Sequence, residues 1–252
     1  SASAKAANTQ VTLSAATNSV INVSIDKHYE YSKLIEDIAE VQALASMRKF
    51  YTDDAGYALA TQVDDDLVTL WEGLQSGTVG GSDAAAWETA YIGSTGTTAY
   101  TGNSSNAADI TDAGLRALIL KLDNANVPMD NRFLIIPPIV SSDLLALNRF
   151  TEQAYIGSGD AIKTGKIGQI YGVDVFISSN CPTASLSTAP YNTDRVACLM
   201  HKDAFALAEQ VGVRSQTQYQ QQYLGDLFTS DTIYGVAELR NDAGVAFIVP
   251  AT

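Results

Sequence analysis

From Thr9 the chain alternates. Val11 and Leu13 share one side of an extended backbone, and a polar turn follows at Ala16–Thr17–Asn18–Ser19. The odd positions then read Ile21, Val23, Ile25, Lys27, Tyr29, Tyr31, Lys33 and Ile35, and the even ones Asn22, Ser24, Asp26, His28, Glu30 and Ser32. A period of two sends successive side chains to opposite faces, so this stretch predicts a long β-ribbon with one apolar face. A two-stranded ribbon is marginal in water, and the neighbouring sequence offers no third strand. Its apolar face is therefore expected to be covered by another copy of the chain, with Ile21, Val23, Ile25, Tyr29 and Tyr31 as the inter-subunit contacts.

The period then changes. Leu44, Met47, Tyr51, Ala55, Leu59, Val63, Leu67, Leu70 and Leu74 recur every three or four residues, which is the spacing of one helix face. At ~1.5 Å per residue such a helix would run roughly 45 Å. Gly56 lies inside it, and Gly73, Gly77, Gly80 and Gly81 end it. Residues 93–109, rich in Gly, Ser, Thr and Asn, read as a loop or hinge.

A compact alternation of helices and strands follows. Thr111 can cap a helix carrying Leu115, Leu118, Ile119 and Leu122. Phe133–Ile136 reads as a buried strand closed by Pro137–Pro138, and Ser141 or Ser142 as the cap of a second helix with Leu144, Leu145 and Leu147. Residues 151–169, with Lys163 and Lys166, read as an exposed Gly-rich loop. Val173–Ile177 and Val196–Met200 are expected strands, the latter leading into a helix over Ala204–Gln210. Strands separated by helices make an α/β layer. In the strand-like tail from Val211, Ile233–Leu239 and Val245–Val249 flank a turn at Asn241–Asp242–Ala243–Gly244 and predict a hairpin. The opening residues, Ser1–Asn8, are small and polar and read as an extended or mobile arm.

Charge narrows the functional classes. The net charge is −13, and Lys163 with Lys166 is the nearest approach to a basic cluster, which argues against a gripping contact with nucleic acid. It leaves open a container wall along which packed DNA slides. Charged residues are only 17% of the chain, and a surface of neutral Ser, Thr, Asn and Gln suits extensive contact with protein, because fewer ions must be desolvated. Cys181 and Cys198 read as free, buried thiols. No apolar stretch approaches the ~20 residues of a membrane span, and no hydrophobic signal region follows Ser1.

A search for catalytic chemistry ends without a site. His28 and His201 have no histidine at helical spacing. The serine-hydrolase string G-x-S-x-G does not occur. The nearest approach to a phosphate loop, Gly159 to Gly165–Lys166–Ile167, has the wrong spacing and Ile where a hydroxyl is needed. Asp64–Asp65–Asp66 point in directions about 100° apart on a helix and are expected to form a solvated face rather than a metal site. Asp53–Asp54 read similarly or as a helix-start cap, and Trp71, beside the apolar stripe, is expected in the core. No catalytic, cofactor-binding or metal residue is assigned, and no enzymatic activity is expected.

The order of elements resembles that of the tailed-bacteriophage major capsid proteins, with the Hong Kong 97-like fold. The resemblance rests on the ribbon 22–35 running into a helix with Tyr51–Thr52–Asp53–Asp54–Ala55–Gly56–Tyr57–Ala58–Leu59. It continues with Asn131–Arg132–Phe133–Leu134–Ile135–Ile136–Pro137–Pro138, with Tyr171–Gly172–Val173–Asp174–Val175 before Ser178–Ser179–Asn180, and with His201–Lys202–Asp203–Ala204–Phe205–Ala206. It implies an α+β fold in four parts. These are an N-terminal arm and extended hairpin loop over 1–37, a peripheral domain with a long spine helix over 38–92, an α/β axial domain over 93–210, and return strands over 211–252 completing the peripheral domain.

The function it implies is self-assembly into hexamers and pentamers of an icosahedral head around double-stranded DNA. The partners would be further copies of the chain, a scaffold, portal or decoration protein, and DNA touched non-specifically, with no membrane and no cofactor. Assembly is expected in the host cytoplasm and residence in the virion. Two rivals are an encapsulin-like nanocompartment shell enclosing enzyme cargo, and a hydrolase or binding module built on the α/β region.

Overall fold

The computed structural model describes residues 20–38, 47–75, 90–100, 106–147, 168–184 and 194–250, with isolated positions near the start. The expected turn at 16–19, Leu44, Lys163 and Lys166 lie outside the described residues.

Two sheets organise the chain. The larger has six strands: β2 (Tyr91–Ile92), β3 (Arg132–Ile136), β4 (Gln169–Ile170), β5 (Val173–Ile177), β6 (Arg195–His201) and β9 (Gly244–Val249), in the order β2-β9-β6-β3-β5-β4. β3 runs parallel to β5, and β2 parallel to β9. The remaining neighbours are antiparallel. The run Val245-Ala246-Phe247-Ile248-Val249 has no polar position, and β9 is accordingly buried throughout. A strand covered on both faces has no solvent side to mark with polar residues.

The helix α2 (Asp112–Asn124) contributes Leu115, Leu118 and Leu122 to the core beside that sheet. Its predicted cap is present: Gly114 N–H donates to Thr111 Oγ1 at 3.0 Å. Gly114 is required here, since a Cβ would stand 2.0 Å from the Gly93 carbonyl oxygen. The second helix, α3 (Pro138–Ala146), starts earlier than expected, with Pro137 at the cap position and Pro138 in its first turn. Proline's fixed φ suits a first turn, where its missing N–H costs nothing, so no serine cap is needed. Ser141 instead donates to the Pro138 carbonyl inside the helix, at 2.7 Å. β4 and β5 are joined by Tyr171–Gly172, both at positive φ (51° and 78°), the geometry of a tight hairpin turn.

The smaller sheet has the order β1-β8-β7, with β1 (Lys27–Glu36), β7 (Phe205–Gln220) and β8 (Gly225–Glu238). β1 alternates as its sequence predicts, with Tyr29, Tyr31 and Ile35 less exposed than His28, Glu30 and Ser32. Its partner is not a local strand but β8, through an unbroken antiparallel register from Lys27↔Tyr234 to Glu36↔Gly225. The expectation that this part of the ribbon lacks a third strand within its own chain is corrected: the C-terminal region supplies two.

Two further expectations are overturned. The segment Ala204–Gln210 is not a helix: a short 3-10 turn, Lys202–Ala204, leads directly into β7. Its Ala, Leu, Glu and Gln favour helix locally, but pairing along β8 outweighs that preference. Nor do Ile233–Leu239 and Val245–Val249 form a hairpin. Their strands, β8 and β9, belong to different sheets, and the 3-10 turn Asn241–Ala243 carries the chain between them. The hairpin of this region is β7–β8, turning at residues 221–224. The segment 211–252 is thereby divided between both sheets.

Truncating Phe247, fully buried in β9, to Ala is expected to destabilise the subunit by about 3–5 kcal/mol. Denaturant unfolding of the unassembled chain checks this.

Candidate assembly interface

The helix α1 (Met47–Thr69) lies against β1 and β8. Its predicted stripe faces inward: Ala55 and Leu59 are buried, Met47, Tyr51, Val63 and Leu67 half-buried, and the following 3-10 turn buries Trp71. A small cluster of Ile35, Ala55 and Phe228, flanked by Met47, Tyr51 and Tyr31, seals one end.

Polar groups fix the helix lengthwise. Arg48 pairs with Asp226. Tyr31 Oη donates to Asp54 Oδ2 at 2.5 Å, which pushes the phenol up to about 12. Asp66 is 7% exposed and receives both Tyr234 Oη (2.6 Å) and Lys27 Nζ (3.1 Å). Burial and the Asp66 hydrogen bond raise Tyr234, and that carboxylate raises Lys27, so both donors stay protonated. The expected solvated face thus holds for Asp64 and Asp65 but not for Asp66. Asp66 stands seven positions after Leu59, two helical turns on, and so falls on the buried stripe. That spacing was the available signal.

The opposite face of the sheet is polar. Asp231 of β8 accepts Arg214 of β7 through both oxygens (2.7 and 2.8 Å) and faces His28 of β1 at 3.1 Å, which ties the three strands together. Arg214 chiefly, with His28, holds the Asp231 carboxyl down at about 2. β7 carries two irregularities, between Glu209 and Val211 and between Val211 and Arg214. Hydroxyls of β8 reach backbone carbonyls at these irregularities: Thr232 donates to Val211 O (3.1 Å) and Ser230 to Arg214 O (3.2 Å). This accounts for two buried hydroxyl residues in β8, at 1% and 3% exposure.

Among the described residues, three stretches of uncovered apolar surface lie around the smaller sheet. Residues 20–26 lead into β1 without helix or strand assignment, with Val20, Ile21 and Ile25 exposed and Val23 half-exposed. Among the expected contact residues, these three odd positions remain uncovered, whereas Tyr29 packs near Tyr234 (ring centroids 6.0 Å apart) and Tyr31 is engaged with Asp54. The β7–β8 tip presents Tyr223 and Leu224, beside Ile38. Leu224 holds a left-handed φ of 46°, a strained conformation for a branched side chain.

The third place is a trough between α1 and β7 that opens onto the larger sheet. Its deeper part, about 380 Å³, is lined by residues that include Leu67, Trp71, Phe133, Phe176, Phe205 and Leu207. A shallower part, about 270 Å³, continues past Val63 and Glu209 to Val213, and Asp64 and Leu207 border both. These residues come from several distant segments, so no single stretch of sequence signals the trough.

Elsewhere the chemistry is quiet. Cys181 and Cys198 are free and buried, and burial pushes the Cys181 thiol up to about 12, keeping it protonated. His201 is buried and accepts the Asp203 N–H at 3.2 Å. Among the described residues no three His, Cys, Asp or Glu gather as a metal site, and no helix is long and apolar enough to cross a membrane.

Residues 36–250 match the family model described as phage capsid protein. Three solved structures share the fold. That of Mycobacterium phage Che8 has TM-score 0.70 and 20% identity, over 94% of this chain and 76% of that one. The capsid structure of cyanophage P-SCSP1u has TM-score 0.71 and 19% identity, over 100% and 81%. The bacteriophage PhiM1 mature capsid has TM-score 0.65 and 14% identity, over 99% and 78%. No curated protein matches the chain by sequence.

Asp66→Ala removes the acceptor of a buried phenol and an ammonium, with an expected loss of about 2–3 kcal/mol in denaturant unfolding of the subunit. A second expectation concerns acid. Asp231 titrates at about 2 when folded and at ~3.9 when free, so the unfolded chain binds the extra proton between these values. Its stabilisation is complete above the free value and is lost as the pH falls toward the folded one. Asp231→Asn should flatten that acid limb, read as the thermal midpoint of the unassembled subunit against pH.

Proposed function

Because the chain belongs to the phage capsid protein family, we propose that it is the major subunit of a phage head, closing through hexamers and pentamers into an icosahedral shell around double-stranded DNA. Its role is structural. The observation that carries this reading is a fold of the capsid type with a segment before β1 whose Val20, Ile21 and Ile25 its own chain leaves exposed.

On this reading α1 is the spine of a peripheral domain and the six-stranded sheet the centre of an axial domain. Ile21, Val23 and Ile25 are inter-subunit contacts; Tyr29 and Tyr31 belong to the same contact and also brace β1 on α1. Each contact is modest, but every subunit makes several at once, and their effects multiply. The net charge of −13 keeps packaged DNA from adhering to the wall. A scaffold, portal or decoration protein would complete the head, and assembly takes place in the host cytoplasm.

Purified chain at high concentration is expected to form closed shells or rings by negative-stain microscopy. Ile21→Glu with Ile25→Glu should leave dispersed subunits of unchanged far-UV circular dichroism. Wild-type protein that stays monomeric under all assembly conditions would sink the reading.

A further inference from the structure

Two unsatisfied surfaces lie on opposite sides of one three-stranded sheet. The first is the segment 20–26. It precedes β1 and passes over the face of β8 at Gly235, whose missing side chain admits it: a Cβ there would stand 2.1 Å from the Ser24 carbonyl oxygen. Ile21 and Ile25 are 50% and 42% exposed. The second is the trough between α1 and β7, where Leu207 and Val213 are 50% and 58% exposed. β7 is also an edge strand of its sheet, with one side unpaired, and such an edge is a template for a further extended chain.

The two surfaces match. Residues 20–26, extended at about 3.3 Å per step, span roughly 20 Å, comparable to the run of β7 from Phe205 past its irregularities to Val213. The segment is apolar at alternate positions, and β7 presents Phe205, Leu207 and Glu209 to the trough at alternate positions. Charge sets the direction. Asp26 is the one acid of the segment, Lys202 stands at the deeper end of the trough, and neither has an ion-pair partner among the described residues. Asp64 borders both parts, so the difference rests on Lys202 at one end and Glu209 at the other, and Glu209 makes the shallower end unsuited to Asp26.

Within one chain the segment crosses β8 at Gly235, whereas the adjacent Tyr234 points to Asp66 of α1 on the other face of the sheet. Complementary surfaces on opposite sides of one body make a head-to-tail contact, which closes into a ring when repeated by rotation. We propose that residues 20–26 of one copy lie extended in the α1–β7 trough of the next, with the apolar side chains on its floor and Asp26 beside Lys202. This rests on the shell-subunit reading and names the receiving surface.

The test is Ile25→Cys combined with Leu207→Cys in one chain, assembled and then oxidised. The native thiols are buried and do not compete. The expected result is a ladder of covalent multimers on denaturing gels, absent from either single variant. Particles that form but release only monomers overturn the seating while the shell reading stands; wild-type chain that forms no particles overturns both. An independent arm uses charge. Lys202→Asp should lower particle yield several-fold with an unchanged subunit spectrum, and adding Asp26→Lys should restore it. A double variant no better than Lys202→Asp alone overturns the proposal.

Discussion

The position of one helix on one sheet governs the rest of this molecule, and a single buried carboxylate does most to fix it. The residues that α1 buries most deeply are Ala55, Leu59 and Asp66, and only Leu59 among them is a large apolar side chain. Apolar burial has no direction and would tolerate sliding along the helix axis. Hydrogen bonds from Tyr234 and Lys27 to Asp66 have direction, as does the bond from Tyr31 to Asp54 nearer the helix start. Together with Arg48 and Asp226 they define both ends of the contact. So held, α1 covers β1 and β8 and leaves its β7 flank open. The trough is a result of that placement and not of any special residue within it.

A container subunit must combine a firm interior with surfaces that associate repeatedly and without gross error. The six-stranded sheet supplies the firmness, with β9 and most of β6 buried. The smaller sheet is built differently. Its exposed face is tied by the Arg214–Asp231–His28 cluster, and its tip carries apolar side chains in a strained turn. With few ions on the surface, contact between copies costs little desolvation, and affinity can come from the number of contacts rather than the strength of any one.

Much of this was legible because local pattern and tertiary role agree. The period of two in β1, the helical stripe from Met47 to Leu70, the Thr111 cap and the strands β3, β5 and β6 all appear where the residues place them. The failures share a cause, which is pairing between distant segments. Ala204–Gln210 carries helix-forming residues yet is drawn into a strand by β8. The turn at Asn241–Gly244 looks like a hairpin, because a sequence shows that a chain turns but not which sheet receives it. β1 lacked a visible third strand because that strand lies some two hundred positions away. At the candidate interface the exposed segment could be anticipated from alternation, whereas the trough, assembled from several elements, could not.

The paired irregularities in β7 have a counting consequence. Each adds one residue opposite β8, and one added residue reverses which face every later side chain meets. Two additions cancel. Leu207 and Glu209 before them, and Ser215, Thr217 and Tyr219 after them, all oppose even-numbered residues of β8 and so stand on the helix side. Length variation in this strand is thus subject to a parity rule. Losing one residue would turn the far half of the hairpin inside out. Losing both would shorten the ribbon and preserve its two faces.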